Sequence, residues 1–203
     1  MAKRKEHSKE ELREMALCAA ESLLQSEGLK AISARRVASE IGYSAGSLYT
    51  VFKNIDDLCW QLNARTLAQL LARLDAVVPA SPRCCLLDYG QAYLAFAREN
   101  PERWSLLFEH ATANDVMPPA WLSERILQLF ARVEQCLQQM RPNLTPQALE
   151  LSARTIWSGV HGIAVLALRQ KLFVSNERAA EMMLQELVQQ YLNGWLSEET
   201  EHA

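Results

Sequence analysis

The sequence predicts an all-α protein of about nine helices. Apolar residues recur at helical spacing through most of the chain, and no segment alternates apolar and polar residues as a strand does. Helix starts are well marked, twice by a polar residue followed by proline, at Asn100-Pro101 and Thr145-Pro146. The 203-residue chain is long enough for a small helical domain at residues 1–54 and a larger helical domain at residues 55–203.

The first helix is predicted from Ser8 to about Glu27. Ser8-Lys-Glu-Glu11 has the pattern of a capping box, in which each terminal side chain binds a backbone N–H of the other residue. Gly28 follows the last periodic residue and ends the helix. This helix is expected to support the two short helices that come next.

Two short helices joined by a tight turn are predicted between Ser33 and Phe52. Ser33 caps the first, Gly42 ends it because glycine accepts a left-handed backbone, and Ser44 caps the second. One side of the second helix is apolar and carries Leu48, Val51 and Phe52. Its other side is small or hydroxyl-bearing and carries Ala45, Gly46, Tyr49 and Thr50. Such a side suits the major groove of DNA, because small residues let the backbone approach and hydroxyls reach phosphates and base edges.

The motif Val37-Ala38, Gly42-Tyr-Ser44, Gly46-Ser-Leu-Tyr49, Phe52-Lys53-Asn54 and Asp57-Leu58 resembles the amino-terminal helix-turn-helix of the TetR family of bacterial transcriptional regulators. The resemblance is dense over about residues 8–60. It implies a two-fold homodimer whose second short helices enter successive major grooves of a palindromic operator. Val51 stands where the family often has histidine, and Ile55 where a phosphate-binding lysine is common, so Lys53 becomes the candidate phosphate contact.

The predicted DNA contacts lie in and beside this motif. Arg35 is the candidate base contact, since arginine binds guanine through two parallel hydrogen bonds. A basic arm of Lys3, Arg4, Lys5 and Lys9 either neutralises phosphates or is simply solvated. The acidic tail at 198–201 is expected to serve solubility alone. The full set of predicted DNA-binding residues is Ser33, Arg35, Ser44, Ala45, Gly46, Ser47, Tyr49, Thr50 and Lys53.

A long fourth helix is predicted from Asp56 and Asp57 to about Val77, because acidic residues favour a helix start. Pro79-Ala-Ser-Pro82 then breaks the pattern. Five further helices are expected near 83–99, 101–111, 119–140, 145–171 and 177–197. A rigid fourth helix could convert a shift at its far end into a change of spacing between two DNA-binding domains.

The last two helices are predicted to form the homodimer interface. The eighth carries an apolar stripe and small residues that allow close approach, and the ninth has a wide apolar face. The alternative is that both are ordinary core helices of one chain. The residues concerned are Leu149, Ser152, Ala153, Ile156, Gly159, Val160, Gly162, Ile163 and Ala167, then Met183, Leu184, Leu187, Val188, Tyr191, Leu192 and Trp195.

Trp157-Ser-Gly-Val-His-Gly162 resembles a Trp…His-Gly signature in the carboxy-terminal domain of one TetR subgroup. The resemblance implies that this helix lines a ligand cavity. His161 then binds ligand or titrates near neutrality, or else it is a buried histidine tied to a neighbouring helix. The predicted effector is a small, largely apolar molecule, with His110 and Arg103 as further polar candidates and 111–119 as a gate. The predicted ligand-binding residues are Tyr93, Phe96, Trp104, Phe108, Trp121, Arg125, Trp157 and His161; the alternative for the aromatics among them is ordinary core packing.

Other classes of protein find little support. The sequence predicts no catalytic site, cofactor or metal site, because it lacks phosphate loops and metal-ligand spacing and its four histidines are scattered. The net charge of -3 argues against a protein that is basic throughout. The short apolar runs and the absence of a secretion segment predict a cytoplasmic protein that does not enter membranes. Three alternatives stay open: a regulator switched by oxidation of Cys84 and Cys85, one switched by a protein partner, and an activator.

Overall fold

The computed structural model describes residues 7–112 and 116–197, and every regular element in these ranges is helical. The all-α class and the predicted order of helices are confirmed. Residues 1–6 of the basic arm, residues 113–115 of the expected gate and the acidic tail lie outside the described residues. The helices are α1 Lys9–Glu27, α2 Ala34–Glu40, α3 Ala45–Leu48, α4 Ile55–Asp75, α5 Pro82–Glu99, α6 Pro101–Glu109, α7 Ala120–Met140, α8 Pro146–Leu168 and α9 Ala179–Ser197, with a 3-10 turn at Leu29–Ala31.

The packing divides the described chain into two compact units. The first comprises residues 7–67 with 101–112 and 116–122, and the second comprises residues 68–100 with 123–197. This division differs from the predicted boundary at residue 54 in two ways. Helix α4 contributes to both units, and α6 joins the first unit because its Leu106 is fully buried in that unit's apolar core.

Helix α1 begins and ends as its sequence predicts. The Ser8 hydroxyl accepts a hydrogen bond from the Glu11 N–H at 3.1 Å, and the Glu11 carboxylate accepts one from the Ser8 N–H at 2.7 Å. Gly28 ends the helix with a φ of 79°, a conformation that costs glycine little. The buried face of α1 packs against α2, α3 and α6, so α1 is the support of the first unit.

A group of partly buried ion pairs joins α1, α4 and α6. Glu21 of α1 lies 2.9 Å from Arg103 of α6 and 3.8 Å from Arg65 of α4, and Arg65 also pairs with Glu14. Glu14 is exposed, but Glu21, Arg65 and Arg103 are partly buried, so their geometry is better fixed by the surrounding packing than that of a surface pair. The network therefore helps to hold α6 in the first unit.

The second unit is built on α5, α8 and α9, which pack against one another. The predicted apolar stripes of α8 and α9 are largely consumed in this core. Gly159 lies so close to α9 that an added Cβ would be 2.5 Å from Leu187 Cδ2, and the Trp195 indole N–H donates to the Ser152 hydroxyl at 3.0 Å. For these faces the core-helix alternative is therefore correct. The buried residues are Ser152, Ala153, Ile156, Val160 and Ile163 on α8 and Leu184, Val188, Leu192 and Trp195 on α9.

Among the described helices, α8 alone is long and apolar enough to cross a membrane by length and composition. The sequence predicts no membrane span here, because charged residues interrupt the apolar residues of α8. Arg154 of this helix lies 3.0 Å from Glu134 and 3.5 Å from Glu150. One face of α8 packs against α5 and α9, which is the packing of a core helix.

Candidate DNA-binding surface and ligand cavity

The turn between α2 and α3 is fixed by local hydrogen bonds. The Ser33 hydroxyl accepts from the Arg36 N–H at 3.3 Å and so caps α2. Gly42 has a φ of 72°, and the next residue's N–H, from Tyr43, donates back to the Ala38 carbonyl at 2.8 Å. The chain therefore leaves α2 sharply and enters α3 two residues later, as the sequence predicts.

Helix α3 is one turn long and is held by its neighbours, since so short a helix is unstable alone. The Ser44 hydroxyl accepts from the Ser47 N–H at 3.2 Å at its start. At its end the Arg13 guanidinium donates to the Val51 carbonyl at 3.2 Å. Leu48 and Phe52 are 2% and 3% exposed and anchor the segment in the core of the first unit.

Helix α3 is shorter than the sequence predicts, because Tyr49 and Thr50 form the turn that follows it. Ala45, Gly46, Tyr49 and Thr50 together define what is called here the outer side of α3, which faces away from that core. Tyr49 is 54% exposed, and an added Cβ on Gly46 would find only the Ser44 hydroxyl, at an ordinary 3.7 Å. The Thr50 hydroxyl donates to the Ser47 carbonyl at 2.7 Å, and the Ser44 and Ser47 hydroxyls lie 2.9 Å apart. The hydroxyls are thus positioned by local bonds, and the surface above Gly46 is open.

The two adjacent arginines of α2 differ in their surroundings. Arg36 donates to both carboxylate oxygens of Glu27, at 2.7 and 2.6 Å. Arg35 is exposed, and within residues 7–112 and 116–197 it forms no ion pair. Arg35 is therefore the arginine whose guanidinium is more available to a ligand outside the chain.

Lys53 lies at the entrance to α4, where its backbone is fixed. Its N–H donates to an Asp57 carboxylate oxygen at 2.9 Å, and the Asp57 N–H donates to the Asn54 side-chain oxygen at 2.8 Å. The Lys53 side chain is exposed. Val51, at the position where the family often has histidine, is buried.

One contact near this surface was missed by the sequence reasoning. Nδ1 of His7 lies 2.6 Å from the Tyr43 hydroxyl and connects the start of the described chain to the turn before α3. No local pattern pairs residues that are 36 positions apart. Lys9 of the basic arm is exposed at the start of α1. Lys3, Arg4 and Lys5 lie outside the described residues.

A small apolar cavity of about 50 Å³ lies within the second unit. Its walls come from α4, α5, α7 and α8 and are mostly aliphatic and aromatic. The sequence signal for this lining was the three-to-four spacing of apolar residues on α5 and α7, most of which were not proposed as ligand contacts. The lining residues are Leu74, Leu86, Tyr89, Gly90, Tyr93, Leu129, Phe130, Val133, Ile156, Trp157 and Val160.

Of the eight predicted ligand-binding residues, Tyr93 and Trp157 line this cavity. Phe96 is buried in the core and does not contribute to the lining. His161 is connected to both lining residues: its Nδ1 lies 2.9 Å from the Tyr93 hydroxyl, and its ring stacks on Trp157 with centroids 5.0 Å apart. The structure therefore ties His161 to neighbouring side chains, one of them on α5.

The other four predicted residues are elsewhere for reasons of packing. Trp104 and Phe108 contact each other within the first unit, with their rings tilted by 55° and their centroids 4.7 Å apart. Trp121 is 40% exposed, and Arg125 is exposed on the next turn of α7. None of these four residues lines the cavity, so a ligand held there would not contact them directly.

The two further polar candidates also belong to the first unit. Arg103 pairs with Glu21, and Nε2 of His110 lies 3.0 Å from an Asp56 carboxylate oxygen. Neither residue lines the cavity within the described part of the chain. The lining residues that carry a polar side-chain group are Tyr89, Tyr93 and Trp157.

Burial keeps the ring groups beside the cavity uncharged. It raises the pKa of the Tyr93 hydroxyl far above its ordinary value and raises that of Tyr89 as well. Burial also lowers the pKa of His161 below its ordinary 6.5, so the neutral imidazole is favoured at pH 7. An uncharged, mostly apolar site of this kind favours uncharged, apolar ligands.

Solved structures share this fold along almost the whole chain. A protein of unknown function from Rhodococcus sp. RHA1 has a TM-score of 0.71 at 21% identity, covering 96% of this chain and 98% of that one. A TetR-family transcriptional regulator from Bordetella parapertussis 12822 has a TM-score of 0.60 at 18% identity, covering 93% and 97%. At these identities the likeness shows the fold alone.

Sequence comparisons add the family. The nucleoid occlusion factor SlmA of Haemophilus influenzae (strain PittGG) is 29% identical over 154 residues, which cover 73% of this chain and 69% of that protein. The model for the family described as bacterial regulatory proteins, tetR family, matches residues 16–60, and the model for the tetracyclin repressor-like carboxy-terminal domain matches residues 86–191. The second match alone covers more than half of the chain. The chain therefore belongs to the TetR family and is a DNA-binding transcriptional regulator, not an enzyme.

Proposed function

We propose that this regulator is a repressor that binds a palindromic operator as a homodimer and leaves the DNA when a small, largely apolar ligand fills the second unit. The observation that carries the proposal is the outer side of α3, which is exposed while its opposite side is locked into the core. The DNA contacts proposed are the residues of that side together with Ser33, Arg35, Ser44, Ser47 and Lys53.

The dimer is proposed to form through a different face of α8 from the buried one. Five residues at helical spacing make this outer stripe of α8: Leu151, Thr155, Ser158, Gly162 and Leu166. Leu151 is 69% exposed and Leu166 is 42% exposed, and an added Cβ on Gly162 would meet nothing within 4 Å. Exposed apolar and small residues together favour close packing against a second helix. A palindromic operator also requires two copies of α3 related by a two-fold axis.

We propose that the cavity becomes larger when the ligand binds. A volume of about 50 Å³ is far below the roughly 300 Å³ at the lower end of ordinary ligand sites. Side chains of α5, α7 and α8 must therefore move apart when a ligand enters. Binding then changes DNA affinity only if the enlarged form is the one that fits the operator poorly.

Helix α4 is proposed to carry this change toward the DNA. Leu74 near its end lines the cavity, while Asp57 near its start holds the backbone of Lys53. Because the helix is continuous from Ile55 to Asp75, displacement of its far end moves or tilts its start. A cytoplasmic location belongs to the same proposal, since the operator is chromosomal DNA.

A selection of bound fragments from random duplex DNA tests the proposal. We expect an inverted repeat with half-sites about one helical turn apart, and binding that weakens steeply with salt. Small apolar molecules are then screened for release of the selected duplex. Recovery of no preferred sequence, or of a single unrepeated half-site, contradicts the homodimeric repressor.

Two further readings of the biology are separated by the same material. An activator would make the same DNA contacts, so transcription from the selected promoter with and without the protein distinguishes it from a repressor. The similarity to a nucleoid occlusion factor favours, as a second candidate, a role in nucleoid occlusion. Mapping the bound sites in cells shows whether binding is restricted to promoters.

A further inference from the structure

We propose that Cys85 and Cys136 are an oxidation site, at which a hydroperoxide produces an intramolecular disulfide that locks α5 to α7 beside the cavity. The two residues are 51 positions apart, on separate helices, and the sequence alone does not pair them. Cys84, the neighbour of Cys85 in the sequence, is exposed, whereas Cys85 is buried on the other side of α5.

The geometry favours a disulfide between the two buried residues. Their Sγ atoms lie 2.8 Å apart, which is only about 0.8 Å longer than a disulfide bond. Both cysteines are buried, since Cys85 is 4% exposed and Cys136 is 5% exposed. Little movement of either helix is therefore needed to form the bond.

The cysteine pair lies near the cavity. Tyr89 lines the cavity, and burial together with the nearby Cys85 thiol raises the pKa of the Tyr89 hydroxyl. A small hydroperoxide would reach the pair from the cavity. The first thiol loses its proton, and the thiolate attacks one peroxide oxygen and breaks the O–O bond. This leaves a sulfenic acid, and the departing hydroxide takes up the proton to give water. The second thiol attacks that sulfur and releases another water molecule. In total, two thiols and one hydrogen peroxide give one disulfide and two water molecules.

Burial raises the pKa of the Cys136 thiol well above its ordinary value, and the thiolate is the reactive form. Oxidation should therefore be faster at mildly alkaline pH than at neutral pH, because more thiolate is present.

The disulfide would act on the cavity directly. Helices α5 and α7, which carry Cys85 and Cys136, both line the cavity, through Leu86 and Gly90 of α5 and Leu129 and Val133 of α7. A covalent link prevents α5 and α7 from separating there. If the proposed function holds, oxidation hinders enlargement of the cavity and the protein stays on its operator when ligand is present.

The test is to treat the full chain with hydrogen peroxide, block the remaining thiols by alkylation, and map the peptides by mass spectrometry. We expect a peptide pair joined through Cys85 and Cys136, a loss of the mass of two hydrogen atoms, and a fall of two in the number of alkylated thiols. The Cys84→Ser variant is the matched control and should lose the same two thiols. Cys85→Ser and Cys136→Ser should form no link.

A second readout keeps the proposal testable if a serine variant folds poorly. The melting temperature of the oxidised wild-type protein should rise by several degrees and return to its starting value with dithiothreitol. A link through Cys84 or between chains, or oxidised protein in which Cys85 and Cys136 are still separate, would overturn the proposal. Neither readout uses DNA or an effector, so failure here leaves the proposed repressor untouched.

Discussion

At the scale of single residues, two neighbouring arginines of α2 differ in whether an acidic side chain already binds them. Arg35 and Arg36 are adjacent on α2, yet Arg36 is engaged by both oxygens of Glu27 while Arg35 projects without an ion pair in the described chain. His161 likewise has its Nδ1 at the Tyr93 hydroxyl. The sequence singled out Arg35 and His161 as functional candidates, but only the structure separates the available group from the engaged one.

Arg35→Ala should weaken operator binding by about 1–3 kcal/mol and relax discrimination at one base pair of each half-site. The reason is the loss of a guanidinium that can bind guanine through two hydrogen bonds. Gel-shift titrations against a panel of single-base operator variants measure the effect. Arg36→Ala is the control, and it should leave the sequence preference unchanged; an unchanged preference in Arg35→Ala as well would remove Arg35 from base recognition.

His161 should titrate below its ordinary pKa of 6.5, because burial disfavours the imidazolium. The folded state then binds fewer protons than the unfolded state, so this stability is complete above about pH 6.5 and is lost as the pH falls toward the folded pKa. Denaturant titrations from pH 7.5 to about 5 should show a steeper loss for wild type than for His161→Gln. An NMR titration midpoint at or above 6.5 would contradict the prediction.

At the scale of elements, local sequence signals predict where most helices begin and end, whereas packing between helices decides which face of each helix is buried. Ser8, Ser33, Ser44 and Gly42 act within a few residues of themselves, so capping and termination were predictable from the sequence. The side of α8 that turns inward depends on α5 and α9, and apolar spacing alone did not identify it. The cavity was missed in part for the same reason, since its walls converge from four helices.

Two glycines in the last two helices should respond oppositely to the same substitution. An alanine Cβ at Gly159 would lie 2.5 Å from Leu187 Cδ2, so Leu187 must shift, and Gly159→Ala should destabilise the fold by about 1–3 kcal/mol. Gly194 on α9 has open space, and Gly194→Ala should stabilise by about 0.5–1 kcal/mol through helix propensity. Urea unfolding measures both. Equal effects of the two substitutions would mean that the close contact between α8 and α9 does not limit stability.

At the scale of the whole molecule, the account requires two chains. The predicted dimer helices survive as a proposal, but the interface moves from their buried stripes to the outer stripe of α8. No pattern within one chain distinguishes a face that packs inside from a face that packs on a second copy, because both are apolar and helical. The sequence of one chain likewise does not predict which ligand or which operator the protein binds.

Gly162→Arg should convert the dimer to monomer at micromolar concentration. Arginine exceeds glycine in helix propensity by about 0.8–1 kcal/mol, and its Cβ would meet nothing within 4 Å among the described residues, so folding should not suffer. A long charged side chain in the outer stripe of α8 would, however, block close approach of a second helix. Sedimentation measures the mass, with Gln135→Arg on the exposed side of α7 as the matched control. A Gly162→Arg protein that is still dimeric would exclude this interface.

The most direct measurement is the salt-dependent binding of duplex operator by Gly46→Glu compared with wild type. The added side chain enters open space on the outer side of α3, so the fold is kept while a negative charge faces the phosphates. Gln25→Glu, which adds the same charge on exposed α1, is the control. We predict that Gly46→Glu abolishes specific binding and leaves the melting temperature unchanged, while Gln25→Glu binds as wild type does. Undiminished operator binding by Gly46→Glu would show that DNA does not contact α3.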